Sequence, residues 1–362
     1  MRFALSNEQH DLRESVRGVL ARAASPDVVR GWLESGSQRG ASELCVTHGW
    51  TGIGVPVELG GEGGGLVELS ICVEEAARAA LPGALLCHAG LATHLLAAAF
   101  DPARSALAER LLAGELLATV LIDASEIPTR PPVRIETGAD GGWRVTGNIS
   151  YVLGAAGTDF ALLPAVSEDR VLLLAIALDE PAVSVDDLPS ADPSRGLAKV
   201  RMEQAPATQI GTLPGEAMDG LAGRAAALIA ADSLGAASRM LEMTVGYVRD
   251  REQFGVPVGS FQAVKHEAAE MMVDVESSRS IAYFAAWSLA SGEPDAPTHA
   301  AAAKFVSCEA AARVADRALA LHGAIGFTWE HDLHFLYKRA KANVALFSES
   351  VGYREQVASG VL

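Results

Sequence analysis

The hydrophobic period of this chain changes twice, and the order of those changes limits the folds open to it. From Ser6 to about Thr119 apolar residues recur at helix spacing, as in Leu12, Val16 and Leu20. Ser6 with Gln9 three residues on reads as a capping box at the first helix. Further helices are expected over Leu66–Ala80, Leu91–Ala99 and Ser105–Leu112, with Pro82-Gly83 ending the first of these. From about Ala118 the period falls to two. Strands are expected over Ala118–Asp123, Val133–Thr137, Trp143–Val152, Phe160–Val166, Arg170–Leu178, Val183–Leu188 and Leu197–Gln204, separated by Gly, Pro and Asp turns. Short strands without intervening helices describe an antiparallel barrel or sandwich. After Pro214 the helical stripes return and persist, first as Leu234, Ala237, Leu241, Val245 and Val248. Phe261, Val264, Ala268, Met271 and Val275 form a second stripe, and Phe305, Cys308, Ala312, Ala315 and Leu319 a third. A fourth helix is expected from about Asp332 to Phe347, and together they predict a helical bundle. The resulting division is 1–118 helical, 119–215 β and 216–362 helical.

Composition excludes several functions. A formal net charge of −16 over 362 residues argues against nucleic acid, because a phosphate-tracking surface needs clustered Lys and Arg. Cys45, Cys72, Cys87 and Cys308 form no CxxC pair and read as buried free thiols of a reducing compartment. The stretch from Met1 to Gln9 carries polar and acidic residues where a signal peptide needs an apolar run. The most apolar stretch, Val171 to Leu178, is less than half a membrane span. A cytoplasmic protein with no membrane contact is expected. His331 and His334 have half a zinc spacing but neither HExxH nor cysteine partners, so no metal is expected. No Gly-x-Ser-x-Gly elbow points to a hydrolase.

The residues most suggestive of chemistry run from Tyr247 to Gln262, at the junction of two long helical patterns. Arg251, Gln253, Phe254 and Gly255 place a cation, an amide, a ring and a flexible backbone in one turn. Such a turn offers donors to an anionic cofactor. The plain alternative for Arg251 is an ion pair with an acidic helix neighbour. The glycine run from Gly52 to Gly65 has no P-loop lysine and no GxGxxG, and reads as a structural turn.

Three segments in order resemble the acyl-CoA dehydrogenase family along essentially the whole chain. They are Gly49 to Gly61, with its Pro56-Val57-Glu58-Leu59-Gly60-Gly61; Arg251-Glu252-Gln253-Phe254-Gly255 with Phe261-Gln262 and Lys265-His266; and His322-Gly323-Ala324-Ile325-Gly326-Phe327-Thr328-Trp329-Glu330-His331. The last is similar to the actinobacterial branch acting on bulky CoA esters, including sterol side chains. The resemblance implies an α+β multidomain fold: an N-terminal helical bundle, a central antiparallel β-barrel or sandwich and a C-terminal four-helix bundle. It implies FAD, an acyl-CoA substrate and α,β-dehydrogenation, with a carboxylate taking a proton from Cα and flavin N5 a hydride from Cβ. Such a base works best in an apolar pocket that raises its pKa. The flavin contacts it implies are Arg251, Gln253, Phe254, Tyr151, Gly323 and Gly326, with FAD lying across a subunit boundary.

Several of the family's functional positions are changed here. Its usual base falls on Phe347, and Glu349 stands about 200° further round a helix. The alternative base position on the preceding long helix falls on Ala225. Asp232 is the one candidate acid on that helix; it is either functional or bonded to a neighbouring helix. A glutamine before the flavin loop becomes Ala320, a loop glycine becomes Ala324, and a flavin-wall "Trp-Ile-Thr" becomes Tyr151-Val152-Leu153. Ile122-Asp123-Ala124-Ser125 replaces another flavin-contacting stretch. The scaffold is kept while the base is lost. The resemblance thus implies a subunit of a heteromeric (α2β2) enzyme, lending residues to a homologous partner's FAD. The alternatives are a self-sufficient flavoenzyme using Asp232, and a structural or CoA-ester-binding homologue.

Overall fold

The computed structural model describes residues 5–36, 38–99 and 105–361, so the first four residues of the polar N-terminal stretch lie outside it. The chain forms two compact units, each assembled from separate segments. One comprises Arg30–Leu69 and Pro82–Ala225; the other comprises Met1–Val29, Ser70–Leu81 and Ala226–Leu362.

The helices of the first third are α1 (Asn7–Ala23), α2 (Pro26–Glu34), α3 (Arg39–Thr47), α4 (Leu66–Arg78), α5 (Thr93–Ala98) and α6 (Ala106–Leu112). The capping box forms as expected: the Ser6 hydroxyl accepts from the Gln9 amide, and the Gln9 side chain accepts from the Ser6 amide. Before α5, Leu85–Ala92 is wound as a π-helix, fully buried, where the sequence suggested only an α-helix from Leu91.

The strands are β1 (Ala118–Val120), β2 (Arg134–Thr137), β3 (Trp143–Val152), β4 (Phe160–Ser167), β5 (Arg170–Ala177), β6 (Val183–Asp187) and β7 (Ala198–Leu213). They make one sheet in the order β1-β4-β5-β7-β3-β2, with β6 also on β7. β7 pairs with β3 and β6 through its first half and with β5 through its second, which is why it runs longer than its period-two pattern. The expectation of a purely antiparallel sheet is corrected by β1, which pairs in parallel with β4. Thirty-nine residues, including β2 and β3, separate those two strands, so no hairpin constraint fixes their direction. Val145, Ile149, Leu163, Leu172, Leu174, Ile176, Val200 and Met202 form the buried face.

The helical unit holds most of α7 (Ala217–Asp250), then α8 (Gln262–Ala290), α9 (Ala296–His322), α10 (Leu333–Ala345) and α11 (Ser350–Val361), with α9 packed on α8, α10 and α11. Its charges are internal as well as superficial. Glu74, 1% exposed, accepts from Arg279 Nη1 (2.7 Å), Arg13 Nη2 (3.3 Å) and the Tyr283 hydroxyl, while Glu75 takes a bidentate pair from Arg17 (2.7 and 2.8 Å). These carboxylates tie α4 to α1 and α8, and each buried charge is matched. Gly235 lets α7 touch α4: a Cβ there would stand 2.1 Å from the Glu74 carbonyl oxygen. Gly235→Ala gains about 1 kcal/mol of helix propensity. The backbone collision outweighs that, at about 1–3 kcal/mol or more for overpacking. A net loss of stability in urea melts is the expected result. No helix among the described residues is long and apolar enough to cross a membrane.

Candidate flavin-contacting site

The segment between α7 and α8 is a small hairpin of β8 (Glu252–Gln253) and β9 (Val256–Pro257). Its two turn residues, Phe254 (φ 56°) and Gly255 (φ 79°), both take left-handed backbone, as the tightest hairpins require. For a phenylalanine that conformation is unfavourable, and its ring is 94% exposed, meeting the Phe261 ring edge-on with centroids 6.1 Å apart. Local folding gains little from such a residue, whose ring faces solvent.

Arg251 lies at the hairpin's base, exposed, and its side chain makes no hydrogen bond or ion pair among the described residues. The acidic neighbour that could have taken it, Asp250, is paired instead with Arg249 at 2.8 Å, a contact that lowers the Asp250 pKa. Gln253 is also exposed, its amide donating only to the Glu252 carbonyl (2.8 Å).

The glycine loop after α9 meets the same end of α7. The His322 ring stacks on Tyr247 at 4.6 Å, and the Tyr247 carbonyl accepts from the Arg251 amide. Gly323 ends α9 at φ 63°, ψ −141°, a region only glycine occupies readily. Gly326 is buried, and a Cβ there would stand 3.0 Å from His322 Cβ. Both glycines therefore have a folding reason. Ala320 and Ala324 are exposed. Phe327 (72% exposed) and Trp329 (68%), part of the loop motif but not among the expected flavin contacts, face outward, with Lys338 Nζ 3.9 Å from the centre of the Trp329 ring. Large apolar residues inside a glycine turn were the available signal. The two histidines weighed as ligands go different ways: His331 Nδ1 accepts from the Leu333 amide and its ring meets His322, while His334 packs between Trp329 and Phe335.

In the sheet unit, Tyr151 at the end of β3 is 45% exposed, and Leu153 is buried with its carbonyl accepting from Thr119 Oγ1 (2.6 Å). Asp123 Oδ1 accepts from the amide and hydroxyl of Ser125, closing a local turn in place of a ligand-facing loop. The glycine run is likewise self-satisfied: Gly54 bonds to Gly63 and Gly63 to Val55, each at 2.8 Å, and a Cβ on Gly61 would collide with Val55.

Two of the positions where a base could act hold buried apolar side chains. Phe347 is fully buried at φ 55°, Ala225 is fully buried, and Glu349 is exposed. The turn carrying Phe347 is held by Lys304, whose buried ammonium donates to the carbonyls of Asn343 (3.0 Å), Val344 (2.9 Å) and Ser348 (3.0 Å) at the negative end of α10. Burial lowers the Lys304 pKa. Asp232, 1% exposed, has both oxygens engaged: Oδ2 by Arg339 Nη2 (2.7 Å), Oδ1 by Arg339 Nε (3.0 Å) and Asn343 Nδ2 (2.8 Å). The same guanidinium donates to the Leu81 carbonyl.

Models of the acyl-CoA dehydrogenase N-terminal and C-terminal domains match residues 6–115 and 217–346. Acyl-CoA dehydrogenase IpdE2 of Mycobacterium tuberculosis is 33% identical over 344 residues, spanning 94% of this chain and 92% of that protein. The chain belongs to the acyl-CoA dehydrogenase family. Acyl-CoA dehydrogenase FadE34 of the same organism is 35% identical over 348 residues, but these make up 45% of its length against 93% of this chain. Among solved structures, the ChsE4-ChsE5 complex from Mycobacterium tuberculosis superposes with a TM-score of 0.87 at 24% identity, covering 100% of this chain and 99% of that one. Membership makes this an oxidoreductase of the CH–CH class, with FAD as the family's cofactor. FAD is a dianionic pyrophosphate with a flat ring at each end. The unpaired guanidinium of Arg251, the Gln253 amide and the outward Phe254 ring are a donor set that fits it.

Proposed function

We propose that this acyl-CoA dehydrogenase is the subunit of a heteromeric enzyme that supplies flavin contacts from its hairpin while a homologous partner supplies the base. The observation that carries this reading is the pairing of an outward, unsatisfied Arg251 with a fully buried Phe347 at the family's base position. Arg251 would hold a phosphate oxygen, Gln253 would donate to the same dinucleotide, and Phe254 would cover a ring face. The chemistry a bound FAD would supply is acceptance of the hydride from the Cβ of an acyl-CoA. This chain's part is to bind and orient the cofactor, and the Cα proton leaves to a carboxylate elsewhere. The ChsE4-ChsE5 complex, and the half of FadE34 outside the match, favour a two-component design. Tyr151, Gly323 and Gly326 are secondary contributors in this scheme.

Self-sufficiency through Asp232 is the weaker reading, because a carboxylate already accepting from the Arg339 guanidinium at both oxygens and from the Asn343 amide is a poor proton acceptor. Purification alone and after co-expression with a homologous chain that carries a glutamate at the Phe347 position separates the two. The chain alone should show no flavin absorbance and no dehydrogenation, and the co-purified complex should show both. A yellow, active preparation of the single chain would overturn the proposal.

A further inference from the structure

The helical unit holds a cavity of about 490 Å³, a volume within the range of about 300–1,000 Å³ usual for small-molecule sites. Residues in or beside α1, α2, α4, α7 and α10 line it, and none belongs to the hairpin or to residues 323–331 of the glycine loop. Part of the lining is apolar: Leu20, Val29, Ala80 and Leu336 are buried, and Phe335 is half-buried.

The rest is a ladder of charge. Arg17 holds the buried Glu75 with its Nε and Nη2 (2.8 and 2.7 Å). Arg78 links Glu75 (3.4 Å) to both oxygens of Glu242 (2.7 and 2.6 Å), and Arg239 Nη1 reaches Glu242 Oε2 at 3.4 Å. Three guanidiniums thus share two carboxylates whose four oxygens are all engaged. Arg239, at the end of the ladder, is the least satisfied: its Nε and Nη2 make no hydrogen bond among the described residues. Those two groups form the same edge with which Arg17 grips Glu75, a pair of parallel N–H donors spaced for the oxygens of one carboxylate. The Arg239 side chain is 45% exposed, so an acid held there keeps part of its hydration while its body enters the apolar lining. Asp332, at the start of α10, balances the lining at three arginines against three acids. That balance favours a single added charge over a phosphate dianion, which Glu242 and Asp332 would repel.

We propose that this cavity binds a small amphipathic monocarboxylate, with its carboxylate on the Nε–Nη2 edge of Arg239 and its apolar body against Leu20, Val29 and Leu336. The proposal is independent of which chain holds the base.

Isothermal titration of the full chain with 6-phenylhexanoate, 6-phenylhexanamide and acetate tests it. Phenylhexanoate should bind roughly tenfold tighter than the amide or more, the size of a charge-assisted hydrogen bond. Acetate, which has no apolar body, should bind far more weakly than either. Arg239→Met should remove the preference for the acid, whereas Arg22→Met, at an exposed α1 position outside the cavity, should keep it. Ala21→Trp, which fills the cavity from an exposed lining position, should weaken both phenyl probes. Equal binding of acid and amide, no binding of the acid, or acetate binding as tightly as phenylhexanoate would overturn the site. So would a preference that survives Arg239→Met or disappears equally in Arg22→Met, or binding untouched by Ala21→Trp. Displacement of phenylhexanoate by CoA would also overturn it, by placing the acid in an acyl-CoA site. The wild-type preference and the CoA competition stand even if a variant fails to fold.

Discussion

Replacing Arg339 with methionine should cost about 3–5 kcal/mol of stability, because it strands the Asp232 carboxylate in the core. The loss would appear as a large drop in the urea midpoint. Asn343 Nδ2 is a further donor to Asp232, and that amide also serves Ser233 Oγ (3.0 Å), which in turn contacts Cys308 Sγ (3.3 Å). The network joins α7, α9 and α10, and Arg339 Nη1 extends it to the Leu81 carbonyl just past α4. Substituting Asp232→Leu on top of Arg339→Met should recover a substantial part of the loss, since a pair removed together leaves no orphaned charge. That recovery separates a structural ion pair from a catalytic acid. A catalytic Asp232 would show itself differently: Asp232→Asn would abolish turnover in a folded, flavin-loaded complex. The structural reading expects turnover per folded complex to survive that substitution, with the loss confined to stability.

How far the fold was legible follows from where its determinants lie along the chain. The Ser6–Gln9 cap, the β3 strand and the alanine-rich seams of α7 to α9 rest on neighbours within a few residues, and their spacing states them directly. The parallel pairing of β1 with β4 rests on a crossover, which no local pattern encodes. Asp232 and Arg339 are separated by 107 positions, and Arg339 sits in Lys338-Arg339-Ala340-Lys341, a run that reads as a solvated basic face. Only packing turns one member of that run into the core while Lys338 and Lys341 remain outside it. The hairpin motif was legible as chemistry, but its direction was not: nothing in Arg251-Glu252-Gln253-Phe254-Gly255 says that Asp250 will choose Arg249.

Arg251→Gln is expected to split stability from cofactor binding. Its side chain is exposed and unpaired, so removal takes nothing from the fold, and the melting temperature of the chain alone should be unchanged. In the heteromeric complex the same change removes a charge-assisted bond to a pyrophosphate oxygen, worth about 1.5–3 kcal/mol, or roughly ten- to a hundredfold in FAD affinity. The deficit should shrink with added salt, as expected for an interaction made largely of charge. Arg249→Gln supplies the control from the same turn. It releases Asp250 on an exposed surface, where ion pairs contribute little, and FAD retention by the complex should stay near wild type. Equal losses of FAD in the two variants would mean the hairpin acts through its net charge alone. A loss confined to Arg251→Gln would mean the outward guanidinium is itself the contact, as its lack of a side-chain partner among the described residues leaves it free to be.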